Sequence, residues 1–212
     1  MYVSHPSPQL QTLFSHHPFQ GAAPEAADFL FVGLDANYAP DIERSPIFDS
    51  VVEYHRDGVA FWRQHGVHHP FLLPGYGGDG RRYHQNFSRI GFGPEQAHRV
   101  SFIELLHVPT VGRSQLTVDD LNPAHLERIN RAILDGQARH TFLSAGVVRL
   151  MQASGRFPWL TLRPKPAGTL PVLHFRNGRS VYLHLHFSNY GKFQAQMNAE
   201  ARVIASLLIS AV

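Results

Sequence analysis
The chain has 212 residues, 43% of them hydrophobic, no cysteine, fifteen histidines and a formal net charge of +3. That length and apolar content suffice for one well-cored domain. The lack of cysteine excludes disulfides, thiolate nucleophiles and cysteine-ligated zinc or iron–sulfur clusters. The basic balance suits a polyanionic partner, and the sequence has neither an apolar run of about 18 residues nor a charged-then-apolar leader. The expectation is a cytoplasmic protein without a membrane span or signal peptide.

Residues 1–27 read as a lead-in, an amphipathic piece (Leu10, Leu13, Phe14) followed by Gly-Ala-Ala-Pro. Phe29-Leu-Phe-Val-Gly33 then reads as a strand buried on both faces. Its carboxyl end presents Asp35, Asn37 and Tyr38, where open α/β sheets bind ligands; the plainer reading of Asp35 and Asn37 is Asx-type turn bonding. Apolar spacing over 48–65 predicts one helix, or two broken at Gly58. Pro74-Gly-Tyr-Gly-Gly-Asp-Gly80 is a flexible loop, and 83–92 a short helix with Phe87 and Ile90 inward.

A second buried strand is predicted over 100–106. A helix follows, with Asn122 as cap and Pro123 in its first turn. Residues 141–143 predict a third strand and 146–152 a helix. Segments 170–175 and 180–187 flank Arg176-Asn-Gly-Arg179, a strong hairpin signal, and a last helix covers about 193–209. Strands alternating with helices predict a single α/β domain. Its layout is three layers, α/β/α, around a mostly parallel sheet of about four strands, with a C-terminal hairpin.

The order of motifs resembles the uracil-DNA glycosylase superfamily, nearest its mismatch-specific (thymine/uracil) branch. Gly33-Leu-Asp-Ala-Asn-Tyr38 is similar to the first family motif. Gly58-Val-Ala-Phe-Trp62 resembles the segment that supplies a base-stacking ring. Val108-Pro-Thr110 resembles a segment ending in Arg-Pro-Thr, and Thr141-Phe-Leu-Ser-Ala-Gly146 a strand–glycine–helix unit. Leu185-His-Phe-Ser188 resembles the second motif, His-Pro-Ser or Asn-Pro-Ser. Three residues depart from the pattern. Glu104 stands where classical members carry an asparagine that reads uracil, and Ala36 and Phe187 replace motif prolines.

The resemblance implies hydrolysis of the N-glycosidic bond of a flipped-out, deaminated or mismatched base in DNA, without a cofactor. Asp35 would stabilise the cationic sugar and orient water; His186 would stabilise the departing base anion. Gly33, Leu34, Asn37, Tyr38, Phe61 and Glu104 would surround the base. Ser188, Asn189, Lys192, Arg113, Arg81 and Arg82 would contact DNA, and the protein would act as a monomer.

Each role has a plainer rival. Phe61 and Trp62 suit a core, and Arg81-Arg82 beside glycines suits a solvated loop. His184 and His186, read as sharing one strand face, suit a solvated edge. For Glu104 the rival is an ion pair with a nearby arginine. An ionised Glu104 only accepts hydrogen bonds, so weak uracil activity is expected. Two other functions stay open: nucleic-acid or nucleotide binding without cleavage, and a metal hydrolase using His16-His17, His68-His69 or His184-x-His186, although no metal-binding spacing is present.

Overall fold
The computed structural model describes residues 2–112, 115–160 and 169–209. The lead-in contains β1 (Val3–Ser4), α1 (Pro8–His16) and β2 (Phe19–Gly21). Ser7 caps α1 by accepting from the Leu10 amide, and Pro8 occupies the first turn, where an absent N–H costs nothing. The apolar run forms β3 (Phe29–Gly33). The stretch over 48–65 is two helices, α2 (Phe48–Arg56) and α3 (Gly58–His65). Asp57 restarts the chain as the cap of α3, accepting from the Ala60 amide at 2.9 Å.

Helix α4 (Arg81–Ser88) begins directly after the glycine-rich loop, so Arg81 and Arg82 lie in its first turn. The chain continues through β4 (Val100–Glu104), β5 (Thr110–Val111) and α5 (Pro123–Leu134). As its residues predict, α5 is capped by Asn122, which accepts from the amides of Ala124 and His125. Next come β6 (His140–Ser144), α6 (Ala145–Ala153), β7 (Val172–Arg176) and β8 (Arg179–His184), then α7 (Gln194–Ile209). Both turn residues between β7 and β8 have positive φ (Asn177 50°, Gly178 76°), the backbone that an Asn-Gly hairpin provides.

The central sheet has six strands in the order β2-β4-β3-β6-β8-β7. Strands β4, β3, β6 and β8 are parallel, and the edge strands β2 and β7 pair antiparallel to their neighbours. The mostly parallel sheet and the β7–β8 hairpin agree with the sequence reading, but the hairpin is part of the sheet, which has six strands rather than about four. The short edge strand β2, with polar Gln20 at its centre, carries too little alternation to be seen in advance.

Alternation along β3 separates two cores. Leu30 and Val32 pack with Leu126, Ile129 and Ile133 of α5 and Val147 and Met151 of α6. Phe29 and Phe31 pack on the opposite face with Trp62 of α3, Phe87 of α4 and Ile204 of α7. The connections leaving β3 and β4 therefore run over opposite faces, and a crevice opens at their carboxyl ends.

The ladder between these strands continues past their ends. Leu105 and Leu106 donate to the carbonyls of Gly33 and Leu34, and Tyr38 and Thr110 close the far end. Strand β1 pairs with β5 and holds this segment from outside. The side chains of α1 and α2 form a third apolar cluster with Tyr38, Phe71 and Tyr76 beside the crevice.

Phe31 is the centre of the aromatic core, stacked on Phe142 (centroids 4.7 Å) and edge-on to Phe87 (5.1 Å). Phe31→Ala is expected to destabilise the fold by about 3–5 kcal/mol. A denaturant titration measures this, and a loss below about 1 kcal/mol would contradict the packing described.

Candidate functional site
The crevice is a cavity of about 270 Å³, toward the small end of ligand sites and suited to a single ring. Gly33, Leu34, Asp35, Asn37, Tyr38, Glu104, His186 and Ser188 all line it. Asp35 and His186, from opposite ends of the chain, therefore share one wall-to-wall space.

Asp35 is fixed by the extended β3–β4 ladder and by Thr110, whose hydroxyl donates to its Oδ2 at 2.6 Å. The Asn37 amide donates to the Thr110 hydroxyl at 3.3 Å and to the Gly112 carbonyl, which ties the same segment together. Tyr38 is buried, and its hydroxyl lies 2.6 Å from His55 Nε2. Burial and the nearby Glu104 carboxyl hold that phenol well above its usual range.

Strand β8 ends at His184, which separates two histidines that a longer strand would place on one face. His184 is buried against Phe31, Phe142 and Phe187. His186 follows on the loop and faces the cavity. Its Nδ1 lies 2.6 Å from the Ser188 hydroxyl, which can donate or accept, and 3.3 Å from the Ser188 amide, which can only donate. In the neutral ring the proton therefore sits on Nε2, leaving that nitrogen as a hydrogen-bond donor. Burial lowers the His186 pKa against the opposing pull of Asp35, which favours the neutral ring.

The loop is held from behind. Buried Asn86 of α4 donates to the carbonyls of Phe187 (2.5 Å) and Asn189 (3.1 Å). Glu200 of α7 accepts from the Leu185 amide at 2.8 Å.

Glu104 ends β4 opposite Gly33 of β3. Its carboxyl has no hydrogen bond or ion pair among the described residues, so the arginine pair considered from sequence is not formed there. Burial, and then the Asp35 charge, push it up to about 8. That direction favours the neutral acid, whereas the sequence reading takes the group as ionised and acceptor-only.

Two further assignments are corrected. Phe61 does not reach the cavity; it is fully buried between Tyr54 and His65. The Phe and Tyr side chains that line the space are Tyr38, Phe71, Tyr83 and Phe102. Phe71 sits on a single 3-10 turn and stacks on Tyr76 (4.4 Å, 15°), in a loop whose irregular backbone gives no periodic signal. Arg81 does not extend to solvent as a DNA contact: its Nη1 donates to the carbonyls of Phe71 (3.1 Å), Leu73 (3.2 Å) and Tyr76. It braces the glycine-rich loop instead.

Arg82 and Lys192 are exposed, and Arg82 lies 4.5 Å over the exposed Tyr190 ring. Asn189 turns its amide back onto the His186 carbonyl rather than outward. A 3-10 turn at Gly191–Phe193 precedes α7, which therefore starts one residue later than predicted. Arg113 lies outside the described residues.

Sequence reading also missed Gln20, His69 and His84 as lining residues. His69 and His84 stack at 3.6 Å, and burial lowers both well below the usual histidine range. Among the described residues, no three His, Asp or Glu side chains are arranged to hold a metal ion, and no helix is long and apolar enough to cross a membrane. No protein-family model matches the chain, and no curated protein matches it in sequence.

The Glu104 environment sets a pH dependence of stability. An unfolded chain releases this proton near 4.5, whereas the folded protein keeps it to about 8. The folded state thus binds more protons in that window, and the group's contribution to stability falls as pH rises through it. Glu104→Gln is expected to remove this fall. Thermal melts of both proteins across the window measure it, and parallel curves would refute the assignment.

Proposed function
We propose that the protein is a DNA glycosylase of the uracil-DNA glycosylase type, hydrolysing the N-glycosidic bond of a deaminated or mismatched base flipped out of DNA. The observation that carries this reading is the meeting of Asp35 and His186 in one ring-sized cavity at the carboxyl ends of parallel strands. The three-layer arrangement of helices around the sheet is compatible with it.

The chemistry follows from charge. As the bond to the base breaks, the sugar becomes cationic and the base anionic. The Asp35 carboxylate, steadied by the Thr110 hydroxyl, stabilises the cation and orients the attacking water. The His186 ring carries its proton on Nε2 because Nδ1 accepts from Ser188; it donates to the base oxygen on which negative charge develops. Phe71, Tyr83 and Phe102 enclose the base and exclude water from it. On this reading the exposed Arg82 and Lys192, together with the net positive charge of the chain, would meet backbone phosphates. On this reading the enzyme acts as a cytoplasmic monomer and needs no cofactor.

Labelled duplex and single-stranded oligonucleotides carrying uracil, mispaired thymine, hypoxanthine or xanthine test the proposal through abasic-site formation. At least one is expected to yield product. Asp35→Asn is expected to lower that rate about 10²–10⁴-fold, and His186→Ala about 10²–10³-fold, with DNA binding retained. Binding to DNA without product from any lesion would refute catalysis and leave a binding module.

A further inference from the structure
The amino ends of the parallel strands form the rim of the sheet opposite the cavity, separated from it by the five-residue strand β6, about 17 Å. Backbone hydrogen bonds set the residues there side by side. The Asp28 amide donates to the Arg99 carbonyl, the Arg139 amide to that of Asp28 and the Ser180 amide to that of Arg139. Register pairs Arg176 with Arg179 across the β7–β8 hairpin, and His140 with Ser180 one residue beyond Arg139. Arg139, Arg179 and Arg176 therefore form one row across three neighbouring strands, at a strand spacing of about 4.8 Å.

Alternation places all three on one face. His140 and Tyr182 contact the aromatic side of the sheet, at Phe29 and Phe142, so Arg139 and Arg179 belong to the side covered by α5. The Arg179 Nη1 donates to the Leu134 carbonyl at the end of that helix. Arg131, in the last turn of α5, lines a shallow hollow with Arg128, Glu25 and Asp135. Two acids of this rim are already matched, Glu25 by Arg128 at 2.8 Å and Asp28 by Arg99 at 2.6 Å. That leaves Asp135 as the carboxylate of the hollow outside an ion pair among the described residues. The side chains of Arg139 and Arg176 are exposed and make no hydrogen bond or ion pair among the described residues. Like charges set opposite each other on adjacent strands weaken pairing, so the row works against the sheet that carries it.

We propose that this arginine row is a second nucleic-acid surface, holding the phosphates of a duplex segment other than the one at the cavity. Guanidinium groups present paired N–H donors that match phosphate oxygens. A row of one sign suits a partner that repeats one charge along a line, as a sugar-phosphate backbone does at every nucleotide. A protein surface interleaves both signs and matches such a row less well. The row and the cavity open at opposite ends of the strands, so one molecule bridges two segments. The inference goes beyond base excision and does not depend on it.

The test mixes the full chain with two short undamaged duplexes carrying different fluorophores, so that energy transfer between them reports bridging. The wild type is expected to bridge them. Arg139→Gln combined with Arg176→Gln is expected to weaken binding of the second duplex about tenfold. Arg56→Gln combined with Arg156→Gln removes the same charge from other exposed positions and is expected to bridge as the wild type does. No bridging by the wild type, an equal loss in both double variants, or full bridging by Arg139→Gln/Arg176→Gln would overturn the proposal. Stronger competition by a polyglutamate peptide or by tripolyphosphate than by unlabelled duplex, at equal charge, would also overturn it. Those two outcomes would assign the row to an acidic protein segment or to a free phosphate chain. Lesion cleavage on the same preparations keeps the two readings apart. Bridging without cleavage removes base excision and leaves the row; cleavage without bridging removes the row and leaves base excision.

Discussion
Two carboxyl groups in one crevice, with no cation lining it among the described residues, are the constraint on which the site depends. Parallel pairing of β3 and β4 produces it, since the register that sets Gly33 against Glu104 brings Asp35 around the same corner. Ionising both would place like charges in a poorly solvated space. The Thr110 hydroxyl distinguishes the two acids, donating to Asp35 at 2.6 Å and not to Glu104. The Glu104 carboxyl is the one that burial and the neighbouring Asp35 push toward its protonated form.

The histidines in and behind the cavity wall preserve that division. His55, His68, His69 and His84 are buried and held low, His55 and His68 at about 3. Each has a polar neighbour: His55 meets the Tyr38 hydroxyl, His68 meets His84 at 3.0 Å, and His69 accepts from the Phe71 amide at 3.1 Å. If they charged, they would compensate the carboxyls and release the proton from Glu104. Deep burial keeps them neutral, so a histidine-rich wall supplies shape and hydrogen bonds without supplying positive charge. Abundant histidine in the composition points toward pH-sensitive charge, and here packing prevents it.

The sequence makes the frame readable wherever an element is long or punctuated. Strand β3 announces itself by four apolar residues ending in Gly33, α5 by Asn122-Pro123, and the hairpin by Asn177-Gly178. The place of Asp35 in the cavity wall is readable because it follows a buried strand, and that of His186 because it follows β8. What escapes has no period. Phe71 and Tyr76 lie in irregular backbone, and Gln20 sits on a three-residue edge strand. Phe61 misleads because its helical spacing signals burial without saying against what; it faces Tyr54 and His65 rather than the cavity. Arg81 misleads because composition cannot show that three carbonyls surround its guanidinium. The protonation of Glu104 escapes for the same reason, since it depends on which neighbours the fold leaves out.

The same logic explains how an imidazole reaches Asp35 from the far side of the sheet. In the order β4-β3-β6-β8, the end of β8 lies two strands away from β3. The chain must return across the end of β6, and Phe187 anchors that return against Phe31, Tyr83 and Phe87 at centroid distances of 5.4–5.9 Å. A motif proline would stiffen the loop through its own backbone. The large ring fixes it by burial, and the Asn86 amide and the Glu200 carboxylate hold the main chain on either side. The position of His186 is thus set by the aromatic core that stabilises the fold. Cavity geometry and stability are supported by the same contacts, so loosening that core loosens the imidazole before it touches any ligand.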